Sequence, residues 1–241
     1  MNKTTVIIDS SQRDTLDVSN SKWTYKSQSP FLNVKSIKLI GCIIPNSQYL
    51  INDNNKTLTI EASSTDYTFT LTKGFYTPST LATELQTQLN TNSFSSTFTV
   101  SQSSTTNKFR IQSTISVILK FSQNTSSGKI LGFGSSNTSS TMDITGTNIY
   151  DLSGTRYYKL RIPETNNFID SNINKINESF IIPNNVNSGE YNYITENTNI
   201  INEIENRQNR IDKLTIELFD DENNYVDLNG IDYILFFTIE N

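Results

Sequence analysis

The chain has 241 residues, a formal net charge of -5 and a hydrophobic fraction of 34%, and it is rich in Asn, Ser and Thr. It holds no histidine and one cysteine, which excludes histidine general bases, Ser-His and Cys-His nucleophiles, histidine zinc ligands, cysteine metal clusters and an internal disulfide. An acidic chain with scattered cations repels phosphate backbones, so no direct nucleic-acid binding is expected, while 11 Tyr and 13 Phe spread through short apolar runs argue against disorder.

The opening MNKTTVIIDSSQRD lacks the apolar core of a signal peptide, and no apolar run approaches the roughly 20 residues of a membrane helix, so neither a secretory signal nor a transmembrane segment is expected. Within it TVIID (5–9) predicts a first strand. A second begins at Trp23 and is expected to break at Pro30. Residues 34–44 form the strongest strand. Its alternation puts Ile37, Leu39 and Ile43 on one face and Ile40, Cys42 and Ile44 on the other, so both faces should meet protein. Cys42 reads there as a buried, inert thiol. Pro45 ends the run because it has no N–H for the ladder, and the asparagine cluster 52–55 is a turn. Residues 58–62 and 67–71 predict a hairpin over SSTD, with Tyr67, Phe69 and Leu71 on one face.

One helix is predicted, around residues 78–90. In YTPSTLATELQTQLN, Leu81, Leu85 and Leu89 recur every fourth residue, Thr77 suits the N-cap and Pro78 the first helical position. So short a helix must lay its leucines on a sheet to persist. Strands follow at 98–101, 109–112 and 117–121, and a loop leads into ILGFG. Residues 134–149 read as loop. YYKLRI (157–162) alternates, which places at least one of Tyr157 and Tyr158 in the core. The asparagine-rich 164–177 has no period. Residues 180–182 and 191–194 could pair across NNVNSG, and 197–210 reads as an exposed loop or a short helix. Residues 213–219 and 232–239 are the final strands, the last apolar on both faces as in a central strand, with turn signals at DDENN and Asn229-Gly230. Eight or more short strands with one inserted helix point to an all-β fold, a single jelly-roll β-sandwich of two packed antiparallel sheets. It is expected as one domain over 1–241, with 1–30 an N-terminal strand and arm and with loop-rich insertions at 134–157 and 164–210.

The chemistry-bearing motifs are weak. SSGKI lacks the upstream glycine and the Ser/Thr of a phosphate loop. DDENNYVDLNG has the oxygen density of a calcium loop, but an EF-hand register from Asp220 puts Tyr225 at the glycine position and Ile231 at the bidentate glutamate, so a solvated turn is the plainer reading. Glu217 with Asp220 or Glu222 could make a paired-carboxylate glycosidase, although carboxylates in strands and turns are more often surface charges. No enzyme, cofactor or metal is expected.

The order IDSSQRD, a strand, then VKSIKLIGCIIPNSQYLINDNN resembles the single jelly-roll penton and minor capsid proteins of large double-stranded DNA viruses and virophages. So do GFYTPSTLATELQTQLN, the FTV…NKFRIQS hairpin, SGKILGF and the closing RIDKLTIELFDDENNYVDLNGIDYILFFTIEN. In that group a Ser-x-x-Arg segment precedes a strand, and an Ile-Pro-Asn-x-x-Tyr corner precedes an asparagine turn. The resemblance implies a virion protein, a penton whose five copies close an icosahedral vertex, with itself, the major capsid protein and other minor capsid proteins as partners. It carries no catalytic residue over. Pro45, Tyr49, Gly74, Tyr76, Leu131, Gly132 and Phe133 match its pattern and read as structural, with Leu131 and Phe133 in the core beside the leucine stripe. A minor capsid protein cementing hexons is the alternative within that class. A receptor- or glycan-binding jelly roll is the alternative outside it.

Overall fold

The computed structural model describes residues 3–14, 16–17, 19–91, 96–121, 126–165, 179–195 and 203–241. Its strands are β1 (Lys3–Asp9), β2 (Lys22–Pro45), β3 (Thr57–Ala62), β4 (Thr65–Thr70), β5 (Phe98–Ser103), β6 (Lys108–Lys120), β7 (Thr141–Thr145), β8 (Tyr157–Arg161), β9 (Ser179–Pro183), β10 (Tyr191–Thr195), β11 (Glu203–Phe219) and β12 (Ile234–Glu240). One α-helix, α1 (Pro78–Thr91), lies between β4 and β5. Where the sequence suggests one domain, the chain gathers into two compact units. The first is Met1–Gln48 with Thr155–Asn241, and the second is Tyr49–Gly154.

β2 organises the first unit. Pro30 does not break it. The ladder to β11 jumps from Lys26↔Lys213 to Phe31↔Ile211, so residues 27–30 bulge out opposite Asp212 and the missing proline N–H has no ladder partner to lose. Before the bulge, β2 adjoins β11, which continues to β8 and β9. Beyond it β11 stays paired to β2 as far as Lys38, β10 takes its place at residues 41–45, β12 pairs residues 36–43 on the other edge, and β12 continues to β1. One long strand thus serves two four-stranded antiparallel sheets, β1-β12-β2-β10 and β2-β11-β8-β9. They face each other across one core: Phe180 of β9 meets Phe237 of β12 with ring centroids 5.8 Å apart, and both sheets supply the same buried cluster. This is an all-β jelly-roll sandwich. It is complete within the first unit.

The strand pairing corrects several sequence expectations. Residues 180–182 and 191–194 do not pair with each other; β9 adds to β8 and β10 to β2. Residues 203–210, expected as loop or helix, are the first part of β11, paired to β2. The 197–202 part of that expectation and nearly all of the 164–177 segment lie outside the described residues. Ile37 and Leu39 share the core with Cys42 and Ile44 instead of opposing them, because the pairings Leu39↔Phe237 and Gly41↔Phe236 leave Ile40 as an extra residue that reverses the alternation. β12 is central, between β1 and β2, yet it alternates: Leu235, Phe237 and Ile239 are buried and the residues between them are half-buried.

The second unit has a sheet ordered β4-β3-β6-β5, with β7 also paired to β6. The β3–β4 hairpin turns at Ser63 and Ser64, both at positive φ. β7 runs inside the stretch expected as loop; Thr-Met-Asp-Ile-Thr buries only Ile144, too little for a visible period. At the start of α1 the Thr80 N–H donates to the Thr77 hydroxyl at 3.2 Å and the Thr77 N–H to the Thr80 hydroxyl at 2.9 Å, a reciprocal cap. Leu81, Leu85 and Leu89 are buried in a core with Leu58, Ile60, Phe98 and Phe109. At its end the Asn90 side chain exchanges hydrogen bonds of 2.8 and 2.9 Å with the Phe98 backbone, fastening helix to β5.

Candidate functional site

The Ser-x-x-Arg segment has a structural task. After β1 the chain makes one 3-10 turn capped by Asp9. The Arg13 guanidinium then donates 2.6 Å bonds to the Ser10 carbonyl and to Asp232 Oδ1, while the buried Ser10 hydroxyl donates to the same carboxylate at 2.8 Å. Nearby, Trp23 Nε1 donates to the Tyr233 hydroxyl, which donates to the Asn20 carbonyl, at 2.9 and 2.8 Å. The first strand and the last are locked at this end.

The corner motif does similar work. Pro45 ends β2 opposite Tyr191. Asn46 Nδ2 donates to the Val186 carbonyl at 2.9 Å and the Ser47 hydroxyl to the Leu228 carbonyl at 2.7 Å, so one tripeptide holds two loops. The other six pattern residues lie in the second unit. The Tyr49 ring stands edge-on to Phe75 at 5.2 Å. Gly74 exchanges backbone hydrogen bonds of 3.1 Å with Ile51, and the Tyr76 hydroxyl donates to the Thr72 carbonyl at 2.7 Å. Leu131 and Phe133 are buried in the core that holds the leucine stripe, Phe133 stacked on Phe121 at 5.4 Å. Gly132 has φ +78, and a Cβ there would stand 2.5 Å from the Asn148 carbonyl oxygen, so only glycine fits.

Among the candidate carboxylates, Glu217 is no surface charge. It is buried on β11, and antiparallel register puts Arg161 of β8 on one side and Lys22 of β2 on the other. Oε2 accepts from Arg161 Nε at 2.6 Å, Nη2 of the same guanidinium is in close contact, and Oε1 accepts from Lys22 Nζ and the Tyr225 hydroxyl, each at 3.1 Å. Arg161 lies over the Phe219 ring at 4.9 Å, and Phe219 stacks on Tyr225 at 4.5 Å. Burial pushes the carboxyl pKa up, but the bonds from Arg161 and Lys22 outweigh it and hold the group below its ordinary value. A carboxylate so held is an ion-pair clasp, not a proton donor near neutral pH. Asp220 is turned inward as well, its Oδ1 accepting from the Glu222 and Asn224 N–H groups at 2.9 and 2.8 Å. Its Oδ2 accepts from Asn224 Nδ2 at 3.2 Å, so both oxygens are used by the turn. Among the described residues no group of three or more His, Cys, Asp or Glu could hold a metal ion. Cys42 is buried and its thiol pKa is pushed up to about 12 by that burial. Tyr158, not Tyr157, is the core tyrosine of the pair.

What remains accessible are the open sides of the jelly roll. β1 and the start of β2 are the edge strands of the two sheets on one side, and a cleft of about 800 Å³ runs between them, lined by Thr5, Ile7, Trp23, Lys26 and Phe31 among others. Among the described residues, β10 is the edge on the opposite side of the β1 sheet. Ile7 is 60% exposed, Tyr191 44% and Tyr193 68%, and the two tyrosine rings lie 6.3 Å apart. The alternation of Tyr191 and Tyr193 is visible in the sequence, but not that it points outward.

A model described as a family of unknown function, DUF5901, matches residues 2–124. No curated protein matches the chain. Among solved structures the chain is similar to the mavirus penton protein, at 10% identity over 99% of this chain and 98% of that one with a TM-score of 0.48. It is also similar to a chain of the Sputnik virophage structure, at 10% identity over 98% and 97% with a TM-score of 0.40.

Proposed function

Because the chain belongs to the DUF5901 family, whose function is unknown, its role has to be read from its own geometry, and we propose that it is a structural protein of a viral capsid, a penton of which five copies close an icosahedral vertex. The observation that carries this is a jelly roll built by one chain, with Arg13–Asp232 and Arg161–Glu217 as internal clasps and with exposed apolar side chains on both edge strands of one sheet, Ile7 on β1 and Tyr191 and Tyr193 on β10. Such a body is suited to lateral association with copies of itself. A ring of five needs a head-to-tail interface, one patch of each copy meeting a different patch of the next. The motifs IDSSQRD and IIPNSQY, which resemble those of penton and minor capsid proteins, act here as clamps that keep the roll rigid. The major capsid protein and other minor capsid proteins would be its neighbours in the virion.

Native mass spectrometry of the purified protein tests this. A species of five times the 27.3 kDa chain mass is expected. A chain that stays monomeric at high concentration and binds on a glycan array would instead point to a receptor- or glycan-binding module.

A further inference from the structure

The edges of the β1-β12-β2-β10 sheet are complementary to each other. In an antiparallel ladder successive residues turn their peptide groups alternately toward and away from the neighbouring strand. The Ser10 N–H bonds to the Tyr233 carbonyl at 2.9 Å, just beyond the β1–β12 ladder; continued into β1, that phase turns Ile8 and Val6 toward β12 and leaves Ile7 and Thr5 facing out. At the other edge the Asn46 N–H bonds to the Glu190 carbonyl at 2.8 Å. The same phase turns Asn192 and Ile194 toward β2 and leaves Tyr191, Tyr193 and Thr195 facing out. Pro45, with no N–H, sits opposite Tyr191, where this phase requires no bond.

Three antiparallel steps separate β1 from β10, so the two edges run in opposite directions. A second copy brought alongside in the same sense therefore sets its β1 antiparallel to β10 of the first. With Ile7 opposite Tyr193, Thr5 falls opposite Thr195, and each pair exchanges two backbone hydrogen bonds. The side chains most exposed on the two edges become direct cross-strand neighbours. Neither 5–7 nor 191–195 carries a lysine or proline, the residues with which proteins usually blunt an open edge.

We propose that this joint, β10 of one copy to β1 of the next with Ile7 against Tyr193, is the contact between successive copies, so that the sheet runs on from subunit to subunit. The inference rests on the ring reading above and assigns its interface. The same surface on both partners is not used, so the contact is heterologous and repeats around a ring.

Two cysteine variants test it, since directly opposed residues in such a pair stand about 5.5 Å apart at Cα, within disulfide range, and Cys42 is buried. Oxidation of Ile7→Cys mixed with Tyr193→Cys should give a disulfide dimer and nothing larger. The double variant should give a ladder of linked copies ending at five. Ile7→Lys and Tyr193→Lys should each abolish the five-copy species in native mass spectra while leaving the circular dichroism spectrum of the folded chain unchanged, because both side chains are exposed. A wild-type ring that survives both lysine variants and gives no cross-link would overturn the joint and leave the ring standing. Cross-linking of Ile7→Cys with itself would replace it by a two-fold contact. A wild-type chain that never forms five copies would overturn both.

Discussion

Glu217 is the residue whose surroundings make the clearest demand on conditions. Its folded pKa lies below the ordinary 4.5 because Arg161 and Lys22 together outweigh the penalty of burial. A carboxyl depressed in the folded state contributes stability that is fully present above its unfolded pKa and is lost as pH falls through the folded one. The clasp therefore holds at neutral pH and weakens as pH falls below the ordinary carboxylate range. Replacing the carboxylate by an amide, Glu217→Gln, keeps the shape but leaves two cations facing a neutral group. The variant should melt a few degrees lower than the parent near neutral pH, and the gap should close as pH is lowered past about 4. Melting curves across an acid titration check this; parallel curves for the two proteins at every pH would mean that the ion pairs contribute nothing. Nothing local in the sequence announced the clasp, because Arg161 and Lys22 are remote in the chain and reach Glu217 only through strand register.

At the scale of elements, β10 depends on one glycine. A Cβ on Gly41 would stand 2.8 Å from the Ile194 carbonyl oxygen, a backbone atom that can yield only if β10 moves off β2. Gly41→Ala should therefore loosen β10 specifically. Hydrogen exchange at Asn192 and Ile194 is expected to rise by about tenfold or more, as for a loss of 1.4 kcal/mol in local opening, with β8 and β11 unchanged; equal protection in parent and variant would show that β10 tolerates the shift. The elements differ in how far they can be read from sequence, and the reason is physical. α1 was legible because its signals are local: the leucine period and Thr77-Pro78 fix it at both levels, and it spans Pro78–Thr91. The turns at Ser63-Ser64 and Asn229-Gly230 were legible for the same reason. The continuity of β2 through Pro30, and the reversal of alternation at Ile40, depend on bulges that only the partner strand defines. β11 was half legible: KLTIELF alternates, while EIENRQNR has too few apolar residues to show a period. Of the seven pattern residues, Leu131 and Phe133 lie where the sequence places them, in the core beside the leucine stripe, but the sequence does not say that Tyr49 through Phe133 sit in a unit of their own.

For the molecule as a whole, the division into two units has a consequence for folding. Each unit has its own buried cluster, and no residue is common to both. The second unit is inserted between β2 and β8, at the point where the jelly roll passes from one sheet to the other. On the jelly-roll side the two ends of the insertion lie close together, for the Thr155 hydroxyl donates to Gln48 Oε1 at 2.9 Å. An insertion that leaves and returns at neighbouring points adds little strain to its host, which is why such sites accept whole domains. Replacing residues 49–154 by a short Gly-Ser linker between Gln48 and Thr155 should therefore leave a jelly roll that folds, with a β-type circular dichroism spectrum and a single cooperative melt. The excised 49–154 segment should fold alone and carry the helical signal of α1. The five-copy species should also survive the deletion, because β1 and β10 both belong to the part that remains. A shortened chain that is unfolded, or folded but monomeric where the parent forms five copies, would mean that the inserted unit is part of what holds the roll, or the ring, together.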